Sequence, residues 1–297
     1  MVERWLYCEG KTDSPVLKAV FNALAVDIIA ESTGTNPGKV ASWRREQGII
    51  AAAISDRDYC PDSKCTECNV AGSVKLIWGR HSIENYLLDP DVLVIALQQL
   101  KTSLMQIPHP PECANRLPTD PETVRRDLID AGKRLIPQES GYLTIARLKS
   151  THSDPVGRVQ LRNPIGISGD APRSRIDCKE AVIKEIGRVL DAASRTQMLD
   201  GFSSARVSEL YDQIDSEISA AAFLNDLKFL EVFHGKRLLR SFKEILKSKY
   251  GFSPKRGTLQ KELILAIETL VLQSGDCRVA EDFRNVAKIV LELEPSN

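Results

Sequence analysis

The sequence has no excess of either charge: 40 Lys and Arg stand against 40 Asp and Glu in 297 residues. That balance argues against a protein that coats nucleic acid by bulk attraction, although it leaves room for a local basic channel. No apolar run approaches the roughly eighteen residues that a membrane-spanning helix needs, so no membrane span is expected. No charged leader or cleavage site precedes the first apolar stretch, and a cytoplasmic location is the expectation. Internal repeats and low-complexity tracts are absent. A phosphate loop is absent too: Gly34, Gly38, Lys39 and Val40 fall one residue short of that pattern, with no Ser or Thr after the Lys. The seven cysteines are odd in number and scattered. They fit reduced thiols or metal ligands better than a disulfide framework.

What is present is 42% apolar composition, ample for a real core in one large domain or two. Two apolar runs organise the first part of the chain. Trp5 to Cys8 ends in Glu9-Gly10-Lys11-Thr12-Asp13, and Ile49 to Ile54 ends in Ser55-Asp56-Arg57-Asp58. Short, β-prone, charge-free runs of this kind read as buried parallel strands. Ligands of open α/β sheets bind beyond the carboxyl ends of the strands. Neighbouring strands would therefore deliver Glu9, Asp13, Asp56 and Asp58 to one edge. Four crowded carboxylates repel one another unless cations sit between them, and hard oxygen ligands suit Mg²⁺ or Mn²⁺. In a regular strand Asp56 and Asp58 would face one way and Arg57 the other.

These residues resemble a known family. Glu9-Gly10-Lys11-Thr12-Asp13 after a first strand and Asp56-Arg57-Asp58 after a third are similar to the TOPRIM domain of topoisomerases, primases and OLD-type nucleases. Arg80-His81-Ser82-Ile83-Glu84-Asn85-Tyr86-Leu87-Leu88 resembles the segment after the Asp-x-Asp strand in OLD-like proteins, including the TOPRIM effector of the PARIS system. Gly235-Lys236-Arg237-Leu238-Leu239 resembles that family's late Gly-Lys motif. The resemblance covers about the first hundred residues, and the remainder only through Gly235-Lys236. It implies a divalent-metal-dependent endonuclease. Glu9 would be a metal ligand or a general acid/base, and Asp13, Asp56 and Asp58 would hold metal. Glu84 would complete a second metal site, and Lys236 would stabilise charge on the phosphate. It also implies nucleic acid, DNA or RNA, as substrate, an ABC-type ATPase as controlling partner, and a role in phage defence. Other readings stay open: a primase- or topoisomerase-like enzyme, the latter with Tyr86 or Tyr211 as nucleophile, or a non-catalytic module that binds an ATPase or RNA. A homodimer is a candidate assembly.

Periodicity orders the rest. Ser14-Pro15 opens a helix through Leu24, with Thr12 or Ser14 as cap. Val26 to Ala30 reads as a strand, 37–47 as a helix, Val74 to Trp78 as a fourth strand, and Asp89-Pro90 as the start of another helix. The expected fold is α/β: a TOPRIM-type parallel sheet flanked by helices, residues 1–105, then a mostly helical C-terminal region. Prolines between Ile107 and Pro121, and Pro and Gly in 150–175, mark 106–175 as a linker and irregular region containing one helix from Pro121 through Leu135. Helices are expected at 177–194, 204–219, 222–232, 236–249, 255–273 and 278–292, forming a C-terminal domain 176–297.

Two side features complete the reading. Cys60, Cys65 and Cys68 supply three thiols in a polar insertion, a candidate structural Zn²⁺ site that lacks an evident fourth ligand; His81, His109 and Cys113 are candidates from a distance. Lys236, Arg240, Lys243 and Lys247 share one helical face. With Arg80 and Arg237 they are candidate phosphate contacts along a groove.

Overall fold

The computed structural model describes residues 3–34, 36–58, 68–151, 174–192, 203–254, 257–273 and 277–295. The chain is α/β. Strands β1 (Arg4–Cys8), β2 (Ile28–Ser32), β3 (Ile50–Ser55) and β4 (Lys75–Ile77) form one all-parallel sheet in the order β2-β1-β3-β4. Helix α1 (Asp13–Ala23) connects β1 to β2, and α2 (Pro37–Glu46) connects β2 to β3. The order reverses at β1: β2 lies on one side of it and β3 on the other. A crevice at such a reversal, beyond the carboxyl ends of the strands, is the usual ligand site of an open parallel sheet.

The central strands β1 and β3 are buried on both faces over most of their length, which explains their apolar, non-alternating composition. One face sets Tyr7, Ala51 and Ala53 against Ala41 and Val40 of α2, with Trp5 and Val74 at the margin. Leu6, Cys8, Ala52 and Ile54 alternate with these and are fully buried on the other face. Ala51 and Ala53 of β3 keep the strand thin on the face that α2 covers.

Two compact units divide the chain. The first joins 1–128 with 230–297. Besides the sheet it holds α3 (Ile83–Leu87), α4 (Pro90–Met105), α5 (Glu112–Arg116), α12 (Gly235–Tyr250), α13 (Thr258–Leu272) and α14 (Arg278–Leu291). Helix α13 packs on α1 and α4, and α14 packs on β1 and β2. The sequence-based boundary at 176 therefore differs from the packing: the last three helices belong with the sheet. Their apolar stripes (Leu259, Leu263, Ala266 and Ile267; Val279, Phe283, Val286 and Val290) are buried. Periodicity reveals such stripes but not their partners.

The second unit, 129–229, is helical, with α7 (Ile136–Thr151), α8 (Arg175–Ala192), α9 (Ser204–Ser219) and α10 (Ala221–Asn225). Tyr211 is buried and its hydroxyl donates to the Pro137 carbonyl at 2.8 Å. Ser140 donates to Asp215, and Arg175 and Lys179 pair with Asp212. Helices α6 (Pro121–Lys133) and α11 (Phe229–Val232) complete the set.

The proline-rich stretch is more ordered than a linker. It forms α5 and buries Ala114 and Leu117. The first strands and helices match the expected ones within two residues, whereas α3, α5 and α7 carry no expectation. No described helix is long and apolar enough to cross a membrane.

Candidate metal centre

Parallel pairing sets Cys8 beside Ile54, so the residues that follow, Glu9 to Asp13 and Ser55 to Asp58, leave neighbouring strands at the same edge. Asp13 begins α1. Its carboxylate turns back to accept a hydrogen bond from the Gly10 amide at 3.0 Å. A Cβ at Gly10 would lie 2.6 Å from Asp13 Oδ1, so this loop needs glycine to let the carboxylate in. Thr12 precedes the helix without a side-chain cap bond, and Ser14 donates instead to the Ala30 carbonyl. Neither residue fulfils the expected capping role.

Asp56 and Asp58 do not continue β3, which stops at Ser55. The expectation that they share one strand face is corrected: they lie in a turn, and Asp58 is left-handed with φ 48°. Asp tolerates that region better than most residues. The turn is held from one side. The amides of Arg57 and Asp58 donate to the His81 carbonyl at 3.0 and 3.3 Å, and the Arg57 guanidinium donates to the Gly79 carbonyl at 2.8 Å.

Glu84 comes from α3, a five-residue helix that is buried throughout. Its start is a closed polar knot. The Asn85 Oδ1 accepts from both the amide and the hydroxyl of Ser82, while its Nδ2 donates to the Phe233 carbonyl at 2.9 Å. This knot brings the turn before α12 against α3. Gly235, the first residue of α12, then has room for no side chain. Lys236 follows and reaches within 3.9 Å of Glu84 Oε1, with Glu84 buried and Lys236 mostly exposed.

The carboxylates of this edge act on one another electrostatically. Asp56 is pushed up to about 8, first by burial, then by repulsion from Asp13, Glu84, Asp58 and Glu9. Asp13 is pushed up to about 6 by burial and by Glu84 and Glu9, against the Gly10 hydrogen bond and Lys236. Asp58 is also raised, by burial and then by Glu9, with Lys236 opposing. Oxygen Oδ1 of Asp56 is shielded from water and has no hydrogen-bond partner. A buried carboxylate oxygen without a partner is costly, and oxygen donors of this kind are the ones that suit hard divalent cations such as Mg²⁺ or Mn²⁺. Among the described residues no group of three His, Cys, Asp or Glu side chains is placed so as to hold a metal ion.

The other expected site residues divide. Arg80 is 5% exposed, its guanidinium paired with Asp89 at 2.5 Å, donating to the Asn85 carbonyl and lying over the Tyr86 ring. It is corrected from a phosphate contact to a structural cation that anchors α3. Arg240 is exposed on α12, in line with Lys236 and Lys247, while Arg237 and Lys243 are half-buried at the flanks. His81 is buried against His234 with ring centroids 5.4 Å apart, and both are held neutral by burial and nearby cations. Of the candidate zinc ligands, Cys60 and Cys65 lie outside the described residues; Cys68 and Cys113 are half-buried free thiols. The sequence reading did not single out Asn85 or Gly10, although a glycine between two acids at a strand end signals a tight turn.

No protein-family model matches the chain, and no curated protein matches it.

Proposed function

We propose that this chain is a divalent-metal-dependent nuclease of the TOPRIM type that hydrolyses nucleic-acid phosphodiester bonds at the β1/β3 edge. The observation that carries this reading is Asp56: a carboxylate with a partnerless buried oxygen, ringed by Asp13, Asp58, Glu84 and Glu9 at the reversal point of a parallel sheet. Mg²⁺ or Mn²⁺ held there would align an attacking water and stabilise the leaving oxygen. Asp13, Asp56, Asp58 and Glu84 would be its ligands, with Glu9, exposed at the rim as Asp58 is, as a further ligand or proton acceptor. Lys236, beside Glu84, offers a cation to the phosphate. The exposed Arg240 and Lys247 continue that charge along α12 and give a backbone somewhere to lie.

A topoisomerase-like reaction is less well supported. It needs an accessible tyrosine, and both Tyr86 and Tyr211 are 0% exposed. Control by a partner ATPase and a role in phage defence belong to the same proposal through the motif resemblance, and the lack of a phosphate loop is in keeping with an external nucleotide-driven partner.

The test is cleavage of a mixed panel of plasmid DNA, single-stranded DNA, tRNA and structured RNA, with Mg²⁺ and Mn²⁺ separately. Wild type is compared with Glu9→Ala and Asp56→Ala. Metal-dependent cleavage lost in both variants establishes the activity and the polymer. Absence of both cleavage and calorimetric metal binding overturns the reading.

A further inference from the structure

Of the three tryptophans, Trp78 is buried, Trp5 is half-buried and Trp43, on α2, is 53% exposed. A single exposed apolar side chain is ordinary. Trp43 differs in what holds it. The Arg44 guanidinium lies over the Trp43 ring at 5.2 Å and over the Trp5 ring at 5.9 Å. Trp5 in turn stacks on Tyr7, with 6.0 Å between centroids and 12° between planes. Cation–π contacts of this length are attractive. The ladder of Tyr7, Trp5, Arg44 and Trp43 thus starts in the core beneath α2 and ends with a ring in water. A ring held in this way has little freedom left to lose when a partner lands on it.

The surroundings of Trp43 select that partner. One turn away on the helix stand Lys39, Glu46 and Gln47, all exposed, and Val40, which packs inward. The ring has no apolar rim on α2. A stable protein interface needs about 800 Å² per partner around an apolar centre, and a helix that lies on a membrane needs an apolar stripe. Charge points away from both. Lys39, Arg44, Arg45 and Lys75 outnumber Glu31 and Glu46, and among the described residues none of these is in an ion pair. Lys75 belongs to this face because its side chain crosses from β4 to the start of α2: a Cβ on Gly38 would come within 3.3 Å of its Cε. An exposed aromatic ring among cations without paired carboxylates suits a single strand of nucleic acid, whose bases stack on such rings and whose phosphates take up such charge.

The position fits a strand that passes the carboxylate edge. The Thr33 amide donates to the Cys8 carbonyl at 2.9 Å, and α2 begins shortly after, so its start lies near that edge. Trp43 sits about 9 Å further along the helix axis. We propose that α2 is a contact for single-stranded nucleic acid, with Trp43 stacking on a base and the exposed Lys39 and Lys75 meeting the adjoining phosphates. Every base has a π-face, so this contact adds hold on the strand and is tolerant of its sequence. Its use as a grip on the flank of the substrate rests on the nuclease reading; the binding of the strand does not.

The experiment titrates a labelled oligothymidylate with the metal-free full chain. Anisotropy gives the affinity, and tryptophan emission reports stacking. Wild type is compared with Trp43→Ala, Trp43→Phe and Lys39→Ala, and a thermal melt of each checks the fold. The expected result is saturable binding that quenches tryptophan emission, weakened about tenfold or more in Trp43→Ala. Trp43→Phe should keep most of the affinity, because it still stacks, and lose the quenching. Lys39→Ala should reduce the slope of log affinity against log salt by about 0.7. A sugar-phosphate strand without bases should bind weakly and without quenching. No binding by wild type, or equal binding by Trp43→Ala, overturns the proposal. So does a Trp43→Ala variant that breaks a dimer seen by sedimentation, or that abolishes binding to anionic lipid vesicles, while its oligonucleotide affinity is unchanged; the face then belongs to that partner. Mn²⁺ titrated separately into wild type keeps the two readings apart: oligonucleotide binding through Trp43 without Mn²⁺ binding would sink the carboxylate reading and leave the α2 contact standing.

Discussion

Gly235 sits so close to Asn85 that a Cβ on it would fall 2.4 Å from Asn85 Oδ1, and 2.5 Å from Ser82 Oγ. Real Cβ atoms do not approach other atoms so closely. Two segments nearly 150 residues apart in sequence therefore meet through a glycine and a polar knot, and this contact is what brings Lys236 to Glu84.

The sign of one substitution distinguishes this role from ordinary helix chemistry. Gly235 begins a helix and is not left-handed, so on propensity alone Gly235→Ala would stabilise by up to about 1 kcal/mol. The Asn85 contact dictates the opposite. We expect a loss of about 1–3 kcal/mol, the usual range for overpacking a full site. Urea unfolding of the two proteins measures it, and a stabilised variant would show that α12 is free to move away from α3.

The raised carboxyls set a pH dependence. Asp13 at about 6 and Asp56 at about 8 stay protonated in the fold at pH values where the unfolded chain, near 4, has released those protons. The folded state then binds more protons, so stability contributed by these groups is full below about pH 4 and is lost as pH rises through 6 to 8. A bound divalent ion replaces the protons. Melting temperature of the metal-free protein should fall across that window, and Mg²⁺ should flatten the fall. Mn²⁺ binding at pH 7 should release protons, seen as a buffer-dependent heat. A flat profile in the absence of metal contradicts the crowded-edge description.

Asp56→Asn separates stability from function at the same site. The amide removes the group most strongly opposed by its neighbours, so the metal-free variant should be more stable than wild type by roughly 1–3 kcal/mol, a rise of several degrees in melting temperature for a unit of this size. Mn²⁺ binding should be lost. Stability gained together with ligand affinity lost is the pattern of a functional carboxylate cluster, whereas a structural aspartate would show destabilisation.

Much of this edge was legible in the sequence because strands announce themselves locally. The runs ending at Cys8 and Ile54 are apolar and stop at acids, and their parallel pairing follows from the helices between them. Glu84 and Lys236 could be placed only by resemblance, since the knot that joins them depends on Asn85 reaching the Phe233 carbonyl, a contact with no local signature. Arg80 was misread for the same reason. An arginine beside a histidine and a serine looks like an anion site until Asp89 and the Tyr86 ring are seen to take it up. The grouping of the last three helices with the sheet was illegible because an apolar stripe shows that a face is buried and not what it is buried against. The zinc expectation rests on Cys60 and Cys65, which lie outside the described residues.

Arg80 and Arg240 should therefore answer mutation in opposite ways. Arg80→Ala strands Asp89 in a nearly dry setting and removes a cation from the Tyr86 face, and a loss of about 3–5 kcal/mol is expected, as for other broken buried pairs. Arg240 is exposed and in no ion pair among those found for the described residues, so Arg240→Ala should leave the melting temperature within about a degree. Its effect belongs to binding. If the face of α12 that begins at Lys236 carries a phosphate backbone, log affinity for a single-stranded oligonucleotide should fall with log salt concentration, and each phosphate contact removed should reduce that slope by about 0.7. Arg240→Ala and Lys247→Ala together should then flatten the slope by about 1.4 and weaken binding at low salt without changing Mn²⁺ affinity. Fluorescence anisotropy across a salt series measures this. An unchanged slope would remove the nucleic acid from α12 and leave the basic stripe as a solvated face, while the carboxylate edge would still have to be judged by its own metal binding.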